Sequence, residues 1–436
     1  MKKILSLILM IGMVAMLFAG GAAEKKDDIV LTFWTSTAEA VDWYTNVVTP
    51  AFKAKHPEVK DVEISFTSIE DFNKKLPVVI PAGEAPDLME MEDSWATQFI
   101  TAGYISPNSD RLNAVVSKLK PSLQKAIELD GKKYGVPAML IHEFMYYNKT
   151  MFKAAGIKEF PNTMEEMLDV AKKLTKRDAS GAIDVSGFSM RLGGNPNGTF
   201  QKFWVLALLS NGVEMVEESK TTPGKYHCAF DNEAGYNAIK LYIDMLYGYK
   251  VDDFNSMKDS EAFAAGKTAI NMRESQSIQT ILELGPDLDW GSAPMPIGKS
   301  GRRATFEIAL NLYVPSSTKE ANKPYAESFI ETALEQKTQE EMVRKAFCLS
   351  PLAEFEYSGL IDPRAEAGYF FPEDMDVYSV PIHNAYDAAA TRVGMALPTI
   401  FADASLYNNP AGIRKQVSYL ASLVNEVYKE YGEYAE

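Results

Sequence analysis

From residue 29 onward, short runs of β-forming residues take turns with stretches of helical period, and few folds accommodate that alternation. Ile29-Val30-Leu31-Thr32-Phe33-Trp34 is a continuous run rich in β-branched and aromatic side chains, closed by Thr35-Ser36-Thr37, the pattern of a buried strand. Val41, Tyr44, Val47, Val48 and Phe52 then recur at helical spacing until Lys55-His56-Pro57 stops the run. Residues 62–66 alternate as a second strand, residues 72–80 predict a helix ended by Pro81, residues 86–91 a third strand, and residues 96–102 a helical turn closed by Gly103. Strand, helix, strand, helix is the pattern of an α/β sheet with helical crossovers. Residues 134–137 and 143–147 read as two further extended pieces, and Thr163 opens a helix to residue 174 with Glu166 completing a capping box. Helical periods recur over residues 200–209, 233–246, 322–334 and 410–431. No internal repeat or low-complexity linker divides the chain, so two lobes would exchange strands rather than sit as beads.

A chain of 436 residues has room for two to three domains at ~150 residues each. Its 46% hydrophobic and 24% charged residues exclude disorder as the main state. The formal charge of −15 repels phosphate backbones and anionic lipid, which excludes nucleic acid as a partner. Lys2-Lys3, an apolar run over residues 4–18 and the small residues 19–23 form a secretory signal peptide over residues 1–23, too short for the ~20 residues a membrane span needs. Cleavage is expected near residues 21–23. No lipobox cysteine adjoins that site to accept a lipid, so the mature protein is expected free in an exported space, most simply a periplasm. Cys228 and Cys348 leave open one bridge or two buried thiols, without any zinc spacing.

Searches for chemistry end mostly in exclusions. Gly266-Lys267-Thr268 and Gly298-Lys299-Ser300 mimic a phosphate loop, but Glu261 and Ala293 stand where the first glycine belongs. No GxSxG or HExxH occurs, and the four histidines are scattered, so no catalytic residue, metal or cofactor is expected. With 59 carboxylates, neighbours such as Glu70-Asp71 and Glu92-Asp93 arise by chance and do not single out a glycosidase pair. The aromatics say more. Trp34 stands at a strand end, Trp95 follows Glu92-Asp93-Ser94, and Trp204 lies early in a helix. Open α/β sheets bind ligands beyond the carboxyl ends of their strands, and a flat indole matches the C–H face of a sugar ring.

A series of short segments then carries a resemblance. Leu31-Thr32-Phe33-Trp34 comes first, followed by Gly83-Glu84-Ala85-Pro86-Asp87-Leu88 and Gly103-Tyr104-Ile105-Ser106-Pro107. Next are Gly131-Lys132-Lys133-Tyr134-Gly135-Val136-Pro137, Tyr146-Tyr147-Asn148-Lys149, Ala155-Gly156-Ile157 and Pro161-Asn162-Thr163. Phe263-Ala264-Ala265-Gly266-Lys267-Thr268-Ala269-Ile270 and Pro294-Met295-Pro296 complete the set. In this order, across nearly the whole mature chain, they resemble the extracellular solute-binding proteins of family 1, the sugar-binding components of ABC importers. The resemblance implies an α/β, two-lobe periplasmic-binding-protein-like fold of type II. Lobe 1 would hold residues 27–137 and 304–350 and lobe 2 residues 138–303 and 351–436, with crossing strands between them and a hinged cleft for the ligand. It further implies a carbohydrate ligand, an importer permease as partner, and no catalysis.

Departures from the family pattern are specific. Met272-Arg273-Glu274-Ser275-Gln276 replaces a common G-x-W, Thr305-Phe306-Glu307 replaces a paired glycine, and Ala138-Met139-Leu140-Ile141-His142 stands where relatives often place an acid. Arg273, Glu307 and His142 point to a more polar or charged ligand than a neutral oligosaccharide, unless Arg273 and Glu307 pair with each other or face solvent. The candidate contacts are Trp34, Ser36, Thr37, Asp93, Trp95, His142, Arg191, Asn195, Trp204, Arg273 and Glu307. A polyol, an acidic sugar or a phosphodiester are the alternative ligands, and a secreted glycosidase the rival function. The first expected outcome follows from the N-terminus: in detergent-phase partitioning the mature protein enters the aqueous phase. Recovery only with detergent, with residues before Ala22 retained, would make the segment a permanent anchor.

Overall fold

The apolar run at the start of the mature chain forms β1 (Ile29–Thr35), which pairs in parallel with β2 (Val59–Phe66) and β3 (Leu88–Glu92). These assignments come from a computed structural model that describes residues 29–381 and 383–436; the expected signal peptide lies outside the described residues. Between β2 and β3 runs α1 (Ile69–Ala82), which does not stop at Pro81 as expected. It continues through Pro77 and Pro81 because Phe72, Leu76 and Ile80 recur four apart and are all buried, and Gly83, at φ 72°, caps it in the left-handed region.

Residues 136–137 and 143–147, expected in two separate extended pieces, belong with the residues between them to one thirteen-residue strand, β4 (Val136–Asn148), which starts two residues after the expected Tyr134. The intervening Ala138, Met139, Leu140, Ile141 and His142 are all buried, as a strand covered on both faces requires. Beyond the short edge strand β5 (Lys176–Arg177) come β6 (Ile183–Ser189), β7 (Thr268–Glu274), β8 (Trp290–Ala293), β9 (Arg303–Tyr313) and β10 (Met375–Ser379). The first half of β4 pairs antiparallel with β9, from Val136↔Leu312 to His142↔Glu307, and its second half pairs with β7 and β8. Strand β9 in turn reaches β3 at its far end and β10 at its near end. The order β2-β1-β3-β9-β4-β7-β6-β5 therefore makes one continuous sheet, with two α/β lobes joined by the crossing strands β4 and β9. The boundary expected at residues 137/138 falls inside β4.

Helices α2 (Asp93–Thr101) and α3 (Met164–Leu174) follow the sequence expectation closely. At α3 the Thr163 hydroxyl accepts from the Glu166 amide while the Glu166 carboxylate accepts from the Thr163 amide at 3.0 Å. Helix α4 (Pro196–Phe203) runs on into a π-helical turn at Trp204–Leu208. Helix α5 (Tyr386–Ala402) packs on it, and α6 (Pro410–Glu430) packs on α5. Helix α5 escaped the sequence reading because Pro398 and a string of small residues obscure its period. Those small residues are there for contact: a Cβ on Gly394 would lie 1.9 Å from the Pro196 carbonyl oxygen. Both cysteines are buried free thiols.

The packing of α3 on β6 is equally tight, since a Cβ on Gly187 would stand 1.8 Å from the carbonyl oxygen of Ala171. Backbone cannot yield as a flexible side chain can. Gly187→Ala is expected to lower the unfolding free energy by about 1–3 kcal/mol, read from urea denaturation. An unchanged midpoint would mean that α3 does not sit this close to the sheet.

Candidate ligand-binding site

In lobe 1 the strand ends converge on Glu90, which is fully buried near the end of β3. The hydroxyl of Thr35, where β1 ends, donates to its carboxylate; the Thr37 hydroxyl donates at 3.1 Å and the Ser36 hydroxyl at 3.4 Å. Burial pushes the Glu90 carboxyl up to about 7, against the pull of these three donors. Next along the chain stand Glu92 and the buried Asp93. Burial raises Glu92 well above the usual carboxylate range, and the neighbouring charges of Asp387, Asp93, Glu274 and Glu90 add to the rise. Asp387 heads α5 and Glu274 ends β7, so the seam between the lobes is acidic on both sides.

Across the seam, buried charges knit lobe 2 to the crossing strand. Lys202 of α4 touches the buried carboxylate of Glu143 on β4 and bonds Glu274 at 2.7 Å. Arg273 pairs with Asp259, and its Nε lies 2.9 Å from Glu274. Burial lowers Lys202 to about 8, yet leaves it ionised at neutral pH. Burial alone would raise Glu274, but Arg273 and Lys202 together outweigh it and hold the carboxyl well below the usual range. Charges this dry persist only when paired, so each of these side chains is held in place by its partners. Beside them, at the carboxyl ends of β6 and β7, a cavity of about 400 Å³ opens between Met190, Arg191, Lys202, Phe254, Asn271 and Arg273.

The sequence candidates divide accordingly. Ser36, Thr37 and Asp93 stand with Glu90 in the lobe 1 wall, and Arg191 and Arg273 line the lobe 2 cavity. Arg273 pairs with its neighbours in lobe 2, and not with Glu307. Trp34 and Trp95 pack instead into the cluster between the sheet, α1 and α2; the Trp34 ring meets Phe72 edge-on at 5.9 Å. Asn195 is the exposed N-cap of α4, accepting from the Gly198 amide at 3.0 Å. Trp204 is a core residue, 1% exposed, packed against Phe306 and Tyr386, so it offers no open face for stacking.

Strand parity sets His142 and Glu307 apart from that group. They are register partners on β4 and β9, so their side chains share one face, while Glu143 points to the other. Leu140, Phe144 and Tyr146 mark the face of His142 and pack with Tyr369; Met139, Ile141 and Met145 mark the face of Glu143. The His142 ring lies against Tyr369 and Phe371, with Nε2 3.0 Å from the Gly368 carbonyl oxygen. Burial holds that imidazole at about 4, neutral at physiological pH. Glu307 is likewise raised by burial, against the opposing charge of Lys120. Beside these candidates the structure places Glu143, Lys202, Asn271 and Glu274 in lobe 2 and the hinge, and Glu90 and Glu92 in lobe 1. Glu90 had a signal: a carboxylate in an otherwise apolar strand, Leu88-Met89-Glu90-Met91.

Two α/β lobes on shared crossing strands, with polar side chains gathered at their strand ends, define a two-lobe fold of the type II periplasmic-binding-protein kind. The chain belongs to the bacterial extracellular solute-binding protein family, which matches residues 34–340. A putative binding protein of Brucella abortus is 26% identical over 280 residues, covering 61% of this chain and 62% of that protein. The chain thus spans less than two thirds of that relative's length. The multiple sugar-binding protein of Streptococcus mutans is 24% identical over 351 residues, covering 76% and 77% of the two chains. Among solved structures, an ABC transporter solute-binding protein of Thermotoga lettingae bound to α-D-tagatose superimposes with a TM-score of 0.74 at 21% identity. That match covers 92% of this chain and all of that one, and it supports the same fold.

The buried Glu90 has a consequence in solution. Its folded pKa, about 7, lies above the ~4.3 of an unfolded glutamate. Between those values the native state keeps a proton that the unfolded chain has released, so stability falls as pH rises through the window. The urea midpoint of the ligand-free protein is expected to fall between pH 5 and pH 8, and Glu90→Gln to fall less. Equal slopes in the two proteins would place the titration elsewhere.

Proposed function

We propose that this protein captures a carbohydrate between its two lobes in an exported compartment and hands it to the permease of an ABC importer, without catalysis. The observation that carries this reading is the facing of two sets of strand ends, both furnished with hydrogen-bonding groups held rigid by burial. In lobe 1 these are the Glu90 carboxylate with its ring of hydroxyls, Glu92 and Asp93; in lobe 2 they are Arg191, Asn271 and Arg273. Sugar hydroxyls donate to carboxylates and accept from guanidinium and amide groups, so such walls suit a polyhydroxylated solute. Membership of the family supports the reading, as do a relative named for multiple sugars and a structural neighbour holding tagatose.

Only a ligand that touches both walls can shift the lobes toward closure. A carbohydrate that binds is expected to raise the melting temperature, since ligand at 100 times Kd adds about 2.7 kcal/mol to the native state. The same ligand is expected to reduce the radius of gyration in X-ray scattering. A tight ligand that leaves the scattering unchanged would remove the clamp from this reading, and a tight polyol or phosphodiester in place of any sugar would change the ligand class.

A further inference from the structure

We propose that the cavity in lobe 2 at the carboxyl ends of β6 and β7 recognises a carboxylate on the sugar, with Arg191 and Asn271 as its donors. The inference rests on the carbohydrate reading above and adds the charge of the ligand. Four cations line this cavity, and three of them are already answered within the chain. Lys202 is held by Glu143 and Glu274, Arg273 by Asp259 and Glu274, and Lys258 by Asp252. Arg191 is the exception: among the described residues no side chain or carbonyl accepts a hydrogen bond or ion pair from it. Its guanidinium lies against Gly198, where a Cβ would come within 2.9 Å, so the first turn of α4 is cut away to admit it.

Asn271 points independently to a ligand. It sits near the carboxyl end of β7, is 1% exposed, lines the same cavity, and its Nδ2 has no hydrogen-bond partner. A buried amide without an acceptor is costly, and natural interiors rarely leave one unless a bound group completes it. One unanswered guanidinium and one unanswered amide donor match the two oxygens of a single carboxylate, which an arginine fork grips in its own plane. The opposite wall gathers the carboxyl groups of Glu90, Glu92 and Asp93, so the solute's carboxylate is oriented toward the guanidinium of lobe 2.

Titration calorimetry of the mature chain with glucuronate, galacturonate, digalacturonate, glucose, galactose and glucosamine tests this. A carboxylated sugar is expected to bind at least tenfold tighter than its neutral counterpart and than glucosamine. Arg191→Ala and Asn271→Asp are each expected to weaken that binding at least tenfold, with the unliganded melting of Arg191→Ala close to wild type. Arg191→Lys is expected to recover part of the loss, which a merely structural arginine would not do. Tightest binding by a neutral or amino sugar, or an acid affinity untouched by Arg191→Ala and Asn271→Asp, would overturn the carboxylate subsite and leave the carbohydrate reading standing. Binding by none of the six would overturn both.

Discussion

Everything in this fold depends on one hydrogen-bonded ladder. Strand β4 is bonded to β9 over its first half and to β7 and β8 over its second, so a single stretch of backbone belongs to both lobes. A central strand has no spare N–H or C=O, and shifting it would break pairs on both sides at once. The lobes therefore cannot slide along β4 and β9 without breaking this pairing. That constraint keeps the carboxyl ends of β1 and β3 opposite those of β6 and β7, where a solute can be held from two sides.

The ladder also explains why such polar chemistry survives at the hinge. Glu143 lies in the middle of a strand buried on both faces, a costly place for a carboxylate. Lys202 makes it tolerable, and Lys202 in turn is shared with Glu274, whose charge Arg273 supports. Removing any one member would leave a dry charge without its partner, which breaks such clusters far more severely than replacing all of them together. The network joins α4, β4 and β7 into one rigid body beneath the lobe 2 cavity, so the groups left open there are presented at fixed positions.

Much of the fold was legible in the sequence because the signals were local. The apolar runs of β1 and β3, the alternation of β2 and the capping box of α3 each depend on residues within a few positions of one another. The site was legible only in part. Ser36 and Thr37 gather around Glu90 at the strand ends and Arg191 and Arg273 line the lobe 2 cavity, as their places in the sequence pattern suggested. An indole beside a break in the pattern looks alike whether it faces a cleft or a helix: Trp204 is core, and the half-buried Trp34 packs against Phe72 of α1. His142 was chosen and Glu143 passed over for want of one bit of information, the direction a residue takes in a strand whose partners lie more than a hundred residues away.

That same alternation partitions β4 by parity. Odd-numbered positions from Met139 to Met145 look toward α4 and the binding side, while even-numbered positions from Leu140 to Tyr146 look toward the separate core around Tyr369 and Trp290. A point substitution in this strand thus reaches one side or the other, seldom both. Mutation can retune how stiffly the lobes turn through the even positions and what they hold through the odd ones, as two nearly independent dials. The insertion or loss of a single residue would exchange the two faces over the rest of the strand, so this stretch can vary in composition across descendants while its length stays fixed.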